Sequence, residues 1–210
     1  MYTPPHFAAP SDESLREVMR AYPFATLIIH TGSEVNAQHL PLYLDGNGTL
    51  SGHVARANPV WQEAANAPDV LVIFHGPNAY VSPAWYPSKA RNGHVVPTWN
   101  YVVVHARGKL RVINDADWVH AHLQALTAQH EAAFAAPWRV EEAPAGFIDR
   151  LMQAVVGIEI EITELTGKWK VSQNQPPENQ LGVMQGLSSM DNTQAKAMAA
   201  IVQRVNRLKT

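Results

Sequence analysis

Apolar and polar positions along the chain repeat with two periods, and each period marks out its own elements. Leu15, Val18, Met19 and Tyr22 recur at the spacing of one helical face. Ser11 or Asp12 is placed to cap that helix, and Pro23 stops it. Phe24–His30 (FATLIIH) reads as a strand broken at Gly32, and 35–44 (VNAQHLPLYL) as a second, in which Pro41 implies an edge or a bulge. Asp45-Gly46-Asn47-Gly48 is a turn signal, so Thr49–Ala55 (TLSGHVA) is expected to return as the second arm of an antiparallel hairpin. Asn58 before Pro59 is the start pattern of a short helix. The nearly unbroken apolar run 69–75 (DVLVIFH) predicts a central strand.

Further on, a strand is expected from Thr98 through Val102–Val104 to Arg107, turning at Gly108-Lys109 into Leu110–Ile113 as another hairpin. Asp115 is placed to cap a long helix over 116–134, with Trp118, His122, Leu126 and Gln129 on one side. A second helix spans about 145–155. Gly157–Leu165 (GIEIEITEL) alternates isoleucines inward with glutamates outward. The last helix, about 192–208, is amphipathic through Ala195, Met198, Ile201, Val202, Val205 and Leu208. Six to eight strands joined mostly by hairpins predict an antiparallel barrel with peripheral helices, mainly β in an α+β chain. A doubly wound sheet needs strands and helices in alternation, which the first half lacks.

Length and composition narrow the classes. The 210 residues suit one domain, or one domain with an appended helical piece, and the net charge of −2 supplies no global basic field for nucleic acid. With no cysteine, disulfides, thiolate metal sites and a cysteine nucleophile are excluded. The start of the chain does not read as a secretory signal and no apolar run is long enough to span a bilayer, so a soluble, cytoplasmic protein is expected. Among the ten histidines, His120 and His122 diverge on their helix and no HExxH spacing occurs, so no metal is expected. Nucleophile-elbow, dinucleotide-binding and P-loop motifs are absent as well.

Three stretches hold candidate chemistry. Gly76–Tyr101 (GPNAYVSPAWYPSKARNGHVVPTWNY) contains two tryptophans, three tyrosines and four prolines. It reads as a strand over 79–82, a stiff excursion over 83–96 and a return strand near Pro97. Its aromatics with Ser82, Ser88, Lys89, Thr98 and Asn100 suit a pocket for a flat ring carrying a phosphate, or else a proline-rich surface loop packed on its own aromatics. Arg56, beside the helix start at Asn58-Pro59, is either an anion site or a solvated turn cation. In 166–174 (TGKWKVSQN) an extended backbone puts Lys168 and Lys170 on one side and Trp169 on the other. That is either a phosphate site or a solvated strand end with snorkelling lysines.

The blocks MYTPPHF, HLPL (39–42), GHVARANPVW (52–61), GPNAYVSPAWYPSK, VPTWNYVVVHARG (96–108) and GKWKVSQN (167–174) occur in order. Together they resemble the PaiB family, described as FMN-binding negative transcriptional regulators. The resemblance implies a split β-barrel of the flavin-reductase and pyridoxamine-phosphate-oxidase type, a homodimer with FMN at the subunit interface. It implies a barrel domain over 1–180 and a C-terminal helix within 181–210 packed on it. Arg56 and Lys89 would meet the FMN phosphate, with Ser82 and Thr98 as hydroxyl donors. The flavin ring would lie against His53, Val54, Ala55 and the Trp99-Asn100 region. Lys168, Lys170, Gln173 and Asn174 would close the site, from the partner chain in one arrangement, and His39 and Asn58 complete the set. The implied roles are a transcriptional regulator, binding DNA directly or through a partner, or a flavin-dependent sensor. The alternative is an FMN-dependent oxidoreductase, with His39, His53 and Tyr101 as acid–base candidates; haem binding, as in some split-barrel relatives, is a third reading.

Overall fold

The computed structural model describes residues 1–31 and 34–208, and the expected break at Gly32 lies outside the described residues. Helix α1 (Asp12–Ala21) starts where Ser11 Oγ accepts the amide of Ser14 at 3.1 Å. It buries Leu15, Val18 and Met19, the face that the spacing predicts.

Seven strands follow: β1 (Phe24–His30), β2 (Val35–Pro41), β3 (Tyr43–Leu44), β4 (Thr49–Ala55), β5 (Asp69–Val81), β6 (Thr98–Ile113) and β7 (Val155–Lys170). Their order in one sheet is β2-β1-β5-β6-β7-β4-β3. β1 runs antiparallel to β2, with Phe24 opposite Pro41 and His30 opposite Val35. β3 and β4 form the expected hairpin, its turn held by Asp45 Oδ1, which accepts the amides of Asn47 at 2.9 Å and Thr49 at 2.8 Å. β4 pairs antiparallel with β7, Thr49 opposite Glu161 through Ala55 opposite Val155. The two strands at the ends of this order are consecutive pieces of one extended segment, 35–44. Its first part pairs with β1 and its last with β4, so the sheet closes into the barrel the sequence predicts.

The chain divides into two compact units. Met19–Phe74 with His105–Leu165 holds the barrel, and its interior is filled by Leu27, Ile29, Leu42, Leu50, Val72, Phe74, Ile158 and Ile160, all essentially without solvent contact. Each such side chain contributes roughly 1.5–3 kcal/mol by leaving water. Helices α2 (Val60–Asn66), α4 (Ala116–Glu131) and α5 (Phe147–Met152) belong to this unit, and α4 packs on β4. Asp115 Oδ1 caps α4 by accepting the amide of Trp118 at 2.8 Å. The other unit comprises Met1–Val18, His75–Val104 and Thr166–Thr210. It contains the short α3 (Lys89–Asn92), α6 (Pro177–Ser189) and α7 (Thr193–Asn206), with α6 packed along α7. Asn192 Oδ1 caps α7 through the amide of Ala195 at 3.0 Å, and Ala195, Met198 and Val202 are buried.

Two expectations are corrected, and one helix was not expected. No hairpin turns at Gly108-Lys109: β6 runs unbroken for 16 residues. Gly108 is there for close approach, since a Cβ on it would lie 2.4 Å from the carbonyl oxygen of Glu161 and 2.7 Å from Ile160 Cγ2. The helix expected over 145–155 is only Phe147–Met152, because Val155 already belongs to β7 opposite Ala55. The same strand continues through 166–170, where Trp169 is buried and Lys168 and Lys170 face the other way. Helix α6 has no counterpart in the hydrophobic pattern. Its Gly182 and Gly186 are poor helix formers, kept because Trp85 lies against them. A Cβ at Gly182 would meet the Trp85 carbonyl oxygen at 2.0 Å, and one at Gly186 the Trp85 ring at 2.3 Å.

Gly108→Ala is expected to lower the unfolding free energy by about 1–3 kcal/mol, the scale of an overpacked core site. Gly46→Ala, where an added Cβ meets nothing within 4 Å, is expected to stay within about 0.5 kcal/mol. Urea midpoints at unchanged slope check both.

Candidate functional site

The excursion from Pro83 to Val96 is tied down at both ends. Ser82 Oγ accepts the amide of Ala84 at 3.2 Å and caps a 3₁₀ turn over Pro83–Trp85. Past it, the Ser88 amide donates to Asn179 Oδ1 at 3.3 Å, Asn179 Nδ2 donates to Ser88 Oγ at 2.9 Å, and Arg91 pairs with Glu178 at 2.5 Å. The excursion is therefore strapped to α6, and beneath it lies a cavity of about 440 Å³. Its walls are Tyr86, Ser88, Arg91 and His94 from the excursion, Thr98 and Asn100 from β6, Lys170 from β7, and Ser172, Asn174 and Asn179 beyond. No aspartate or glutamate lines it.

Lys170 is the cation at the centre of this wall. Its ammonium donates to Thr98 Oγ1 and, at 2.9 Å, to the carbonyl of Trp99. Burial, and then the charge of Lys168, lower its pKa from the ordinary lysine value. Asn100 is buried and donates Nδ2 to Ser172 Oγ at 2.9 Å. Ser172 has φ of 67°, a left-handed conformation uncommon for serine. The turn is held there by Gln173, whose Oε1 accepts the Val171 amide at 2.7 Å and whose Nε2 donates to the Trp169 carbonyl at 2.5 Å.

The barrel unit carries the remaining expected residues in a different setting. Arg56 donates Nε to the Gln153 carbonyl and Nη2 to the Val155 carbonyl and Asn114 Oδ1, each at 2.9 Å. Three hydrogen bonds thus occupy it, two serving the chain end of α5 and the start of β7 and one the Asn114 side chain. The adjoining cleft of about 310 Å³ is lined by Asp115 and Asp149 as well as Arg56, an unfavourable setting for a phosphate. Asn58 is engaged too, accepting the Val60 amide at 3.0 Å and donating to Gln38 Oε1 at 2.8 Å. His39 is exposed and meets Thr26 Oγ1 at 3.2 Å; Val54 is buried and Ala55 exposed.

His53 belongs to a chain of hydrogen bonds. Its Nδ1 lies 3.2 Å from Nε2 of His122, whose Nδ1 lies 3.1 Å from Ser51 Oγ. The Trp118 ring is stacked on His122, 12° from parallel, and reaches over Gly157, where a Cβ would come within 2.4 Å of it. Burial lowers the pKa of both histidines, and the neighbouring His53 adds to the effect on His122, which falls to about 4.

Of the residues expected to hold a cofactor, Thr98, Asn100, Lys170 and Asn174 line one cavity. Gln173 and Ser82 shape its surroundings. Lys89 is exposed on α3 and is not part of that wall. Lys168 points among the rings of Tyr2, Phe7 and Tyr101, 5.6–6.0 Å from their centres, and donates to the Tyr2 carbonyl at 3.2 Å. Trp99 is half-exposed, donates to Asn78 Oδ1 at 3.2 Å and meets Tyr80 edge to face at 6.0 Å. His39, His53, Val54, Ala55, Arg56 and Asn58 all belong to the barrel unit. Sequence reasoning passed over Arg91, His94 and Asn179, took Ser172 only as part of the 166–174 stretch, and read His122 as part of a helical side and not as a metal ligand. Ser51 and His53 sit two apart on one face of a strand, and Trp118 and His122 four apart on a helix, the one signal that could have joined them.

Because His122 is neutral in the folded protein and protonates near 6.5 once unfolded, its contribution to stability is complete above pH 6.5. It is lost as the pH falls from 6.5 through about 4. His122→Phe is expected to be less stable at pH 7 yet to lack this part of the slope, worth on the order of 2–3 kcal/mol in wild type. Chemical denaturation at pH 7, 5.5 and 4.5 measures it.

Comparison with known proteins agrees with this architecture. The family model described as "Putative FMN-binding domain" matches residues 1–164. An uncharacterized protein of Emericella nidulans is 32% identical over 210 residues, covering 83% of this chain and 84% of its own. The Bacillus subtilis "Protease synthase and sporulation protein PAI 2" is 29% identical over 206 residues, covering 97% of each chain. The solved FAD and haem binding protein of Mycobacterium smegmatis superimposes with a TM-score of 0.60 at 18% identity, covering 78% of this chain and 73% of its own, a likeness of fold. The closed antiparallel sheet, the ordered sequence blocks and these matches place the chain in the PaiB family of FMN-binding split-barrel proteins.

Proposed function

We propose that this FMN-binding protein works as a homodimeric, flavin-dependent regulator of the PaiB kind, with the phosphate end of FMN in the cavity beneath the Pro83–Val96 excursion. The observation that carries the cofactor's placement is the lining of that cavity: Lys170 stands in it as a cation with no carboxylate partner, Arg91 beside it is already paired with Glu178, and no carboxylate is among the lining residues. A phosphate asks for such a mixture of cation, hydroxyl and amide donors, and Thr98, Ser88, Asn100 and Asn174 supply the neutral ones. Bound FMN supplies reversible one- and two-electron chemistry; the chain's part is to hold and orient it. Lys170 faces the phosphate with the one ammonium hydrogen that Thr98 and Trp99 leave over. Arg91 is steadied by Glu178, and Asn100 is fixed by Ser172. Arg56 is left out of the phosphate site, since α5 and Asn114 take most of its donors.

The dimer is supported by the pair Tyr80 and Trp99, exposed at 47% and 50% and packed edge to face. Exposed adjoining aromatics of this size suit a partner's surface. Direct contact with DNA has less support. On and before α7, Lys196 lies 3.5 Å from Asp191 and Arg204 lies 4.0 Å from Glu17, so neither presents an isolated charge to a phosphate backbone. Regulation through a partner protein follows. Among the described residues no helix is long and apolar enough to cross a membrane.

Lys170→Ala is expected to weaken FMN binding by roughly 10- to 100-fold, the loss of a charge-assisted hydrogen bond. Lys89→Ala and Arg56→Ala are expected to bind within about twofold of wild type, although Arg56→Ala unfolds more readily. Flavin fluorescence titration separates the three, and equal affinity in Lys170→Ala would overturn the placement. Tyr80→Ser combined with Trp99→Ser is expected to sediment as a monomer where wild type sediments as a dimer. Neither preparation is expected to shift duplex DNA at physiological salt.

A further inference from the structure

Strand β4 and helix α4 hold a second piece of chemistry that the flavin reading does not use. Ser51, His122 and His53 form an unbroken line of hydrogen bonds, 3.1 Å and then 3.2 Å long. His122, in the middle, is almost fully buried and has both ring nitrogens occupied. His53, at one end, uses only Nδ1; among the described residues its Nε2 has no partner, and it is not among the buried unpaired atoms. At the other end Ser51 is only partly buried. The line is built into its surroundings: Trp118 covers His122, and the missing Cβ of Gly157 makes room for Trp118. Gly157 is the residue opposite His53 in the sheet. The carboxylate nearest in register, Glu159 opposite Ser51, is taken up by Arg111 at 2.6 Å. Among the described residues no carboxylate is hydrogen-bonded to the line.

We propose that Ser51, His122 and His53 form a neutral proton relay whose open end, Nε2 of His53, exchanges protons with an N–H or O–H acid placed against it. The line has two arrangements without net charge. In the first, Nδ1–H of His53 donates to Nε2 of His122, and Nδ1–H of His122 donates to Ser51 Oγ, leaving Nε2 of His53 bare. In the second, the Ser51 hydroxyl donates to Nδ1 of His122, Nε2–H of His122 donates to Nδ1 of His53, and Nε2–H of His53 points outward. When such an acid gives a proton to the bare Nε2, the Nδ1 proton of His53 passes to His122. The Nδ1 proton of His122 then passes to Ser51, whose own proton leaves to water. One proton enters, one departs, and the rings finish neutral. The depressed basicity of both histidines agrees with a line that passes charge on and does not store it. The proposal rests on barrel residues alone and stands whether or not FMN occupies the other unit's cavity.

Long-range proton–nitrogen NMR of the full chain, labelled with ¹⁵N-histidine, tests it at pH 7. The expected wild-type result is four ring nitrogens with shifts between the protonated and bare values, and one proton shared between Nδ1 of His53 and Nε2 of His122. In Ser51→Ala the buried Nδ1 of His122 loses its acceptor, so the first arrangement is disfavoured. His53, a ring away, then moves about tenfold toward Nε2–H, and Ser51→Thr restores exchange. Acylation of His53 by diethyl pyrocarbonate, which needs a bare nitrogen, is expected to slow about tenfold in Ser51→Ala. Four locked nitrogens, a doubly protonated ring at pH 7, or a His53 whose tautomer and acylation rate ignore Ser51→Ala would each overturn the relay. The wild-type spectrum decides the matter even if the alanine variant does not fold.

Discussion

The barrel depends on one extended segment pairing on both of its sides in succession. Residues 35–41 hydrogen-bond with β1, and 43–44 hydrogen-bond with β4, so the first and last strands of the sheet are covalently continuous. An open sheet of this size would present two rows of unpaired backbone groups, and closure removes them. Pro41 sits at the change of partner, where a residue lacking an N–H loses least. Leu42, just after it, donates its amide to Pro23 at 2.9 Å and buries its side chain in the interior. Closure also sets how near the strands and their covering helix must come. Gly108 against Glu161 and Gly157 beneath Trp118 are consequences, each at a place where a Cβ has no room.

Two basic residues from the candidate stretches show how surroundings decide what a charge does. Arg56 and Lys170 look equally suited as isolated side chains. Arg56 has been drawn into satisfying carbonyl groups at the end of a helix, among carboxylates. Lys170 is partly desolvated, has Lys168 near enough to lower its pKa, and faces a wall without acids. A like charge and partial burial make the ammonium costly alone, and an incoming anion relieves both at once. The histidine pair is the counterpart. There, burial without any anion keeps two rings neutral, which is the condition for passing protons along hydrogen bonds.

Strands with one buried face, helix starts with a capping side chain, and the Asp45–Gly48 turn were legible along the chain because each is set by neighbours in sequence. Asp115, Asn192 and Ser11 cap where their side chains can reach an amide two or three residues on. The alternation in 166–170 foretold that Trp169 lies opposite two lysines, and the structure buries it. The stiff excursion over 83–96 followed from its prolines, and three of the residues first named for it, Ser88, Thr98 and Asn100, do line a cavity.

What the chain could not disclose by itself depends on atoms far apart in sequence. A glycine reads locally as a turn, yet Gly108 lies inside a strand because Glu161, 53 residues later, comes too close for a side chain. Helix α6 escapes its own weak pattern because Trp85 needs the bare faces of Gly182 and Gly186. The partners of Arg56 and the line from Ser51 through His122 to His53 span 58 to 99 and about 70 residues. Local periodicity specifies which face of an element is apolar. Only the packed tertiary structure specifies which polar groups that face brings together, because hydrogen bonds and desolvation act over a few ångströms of space whatever the distance along the chain.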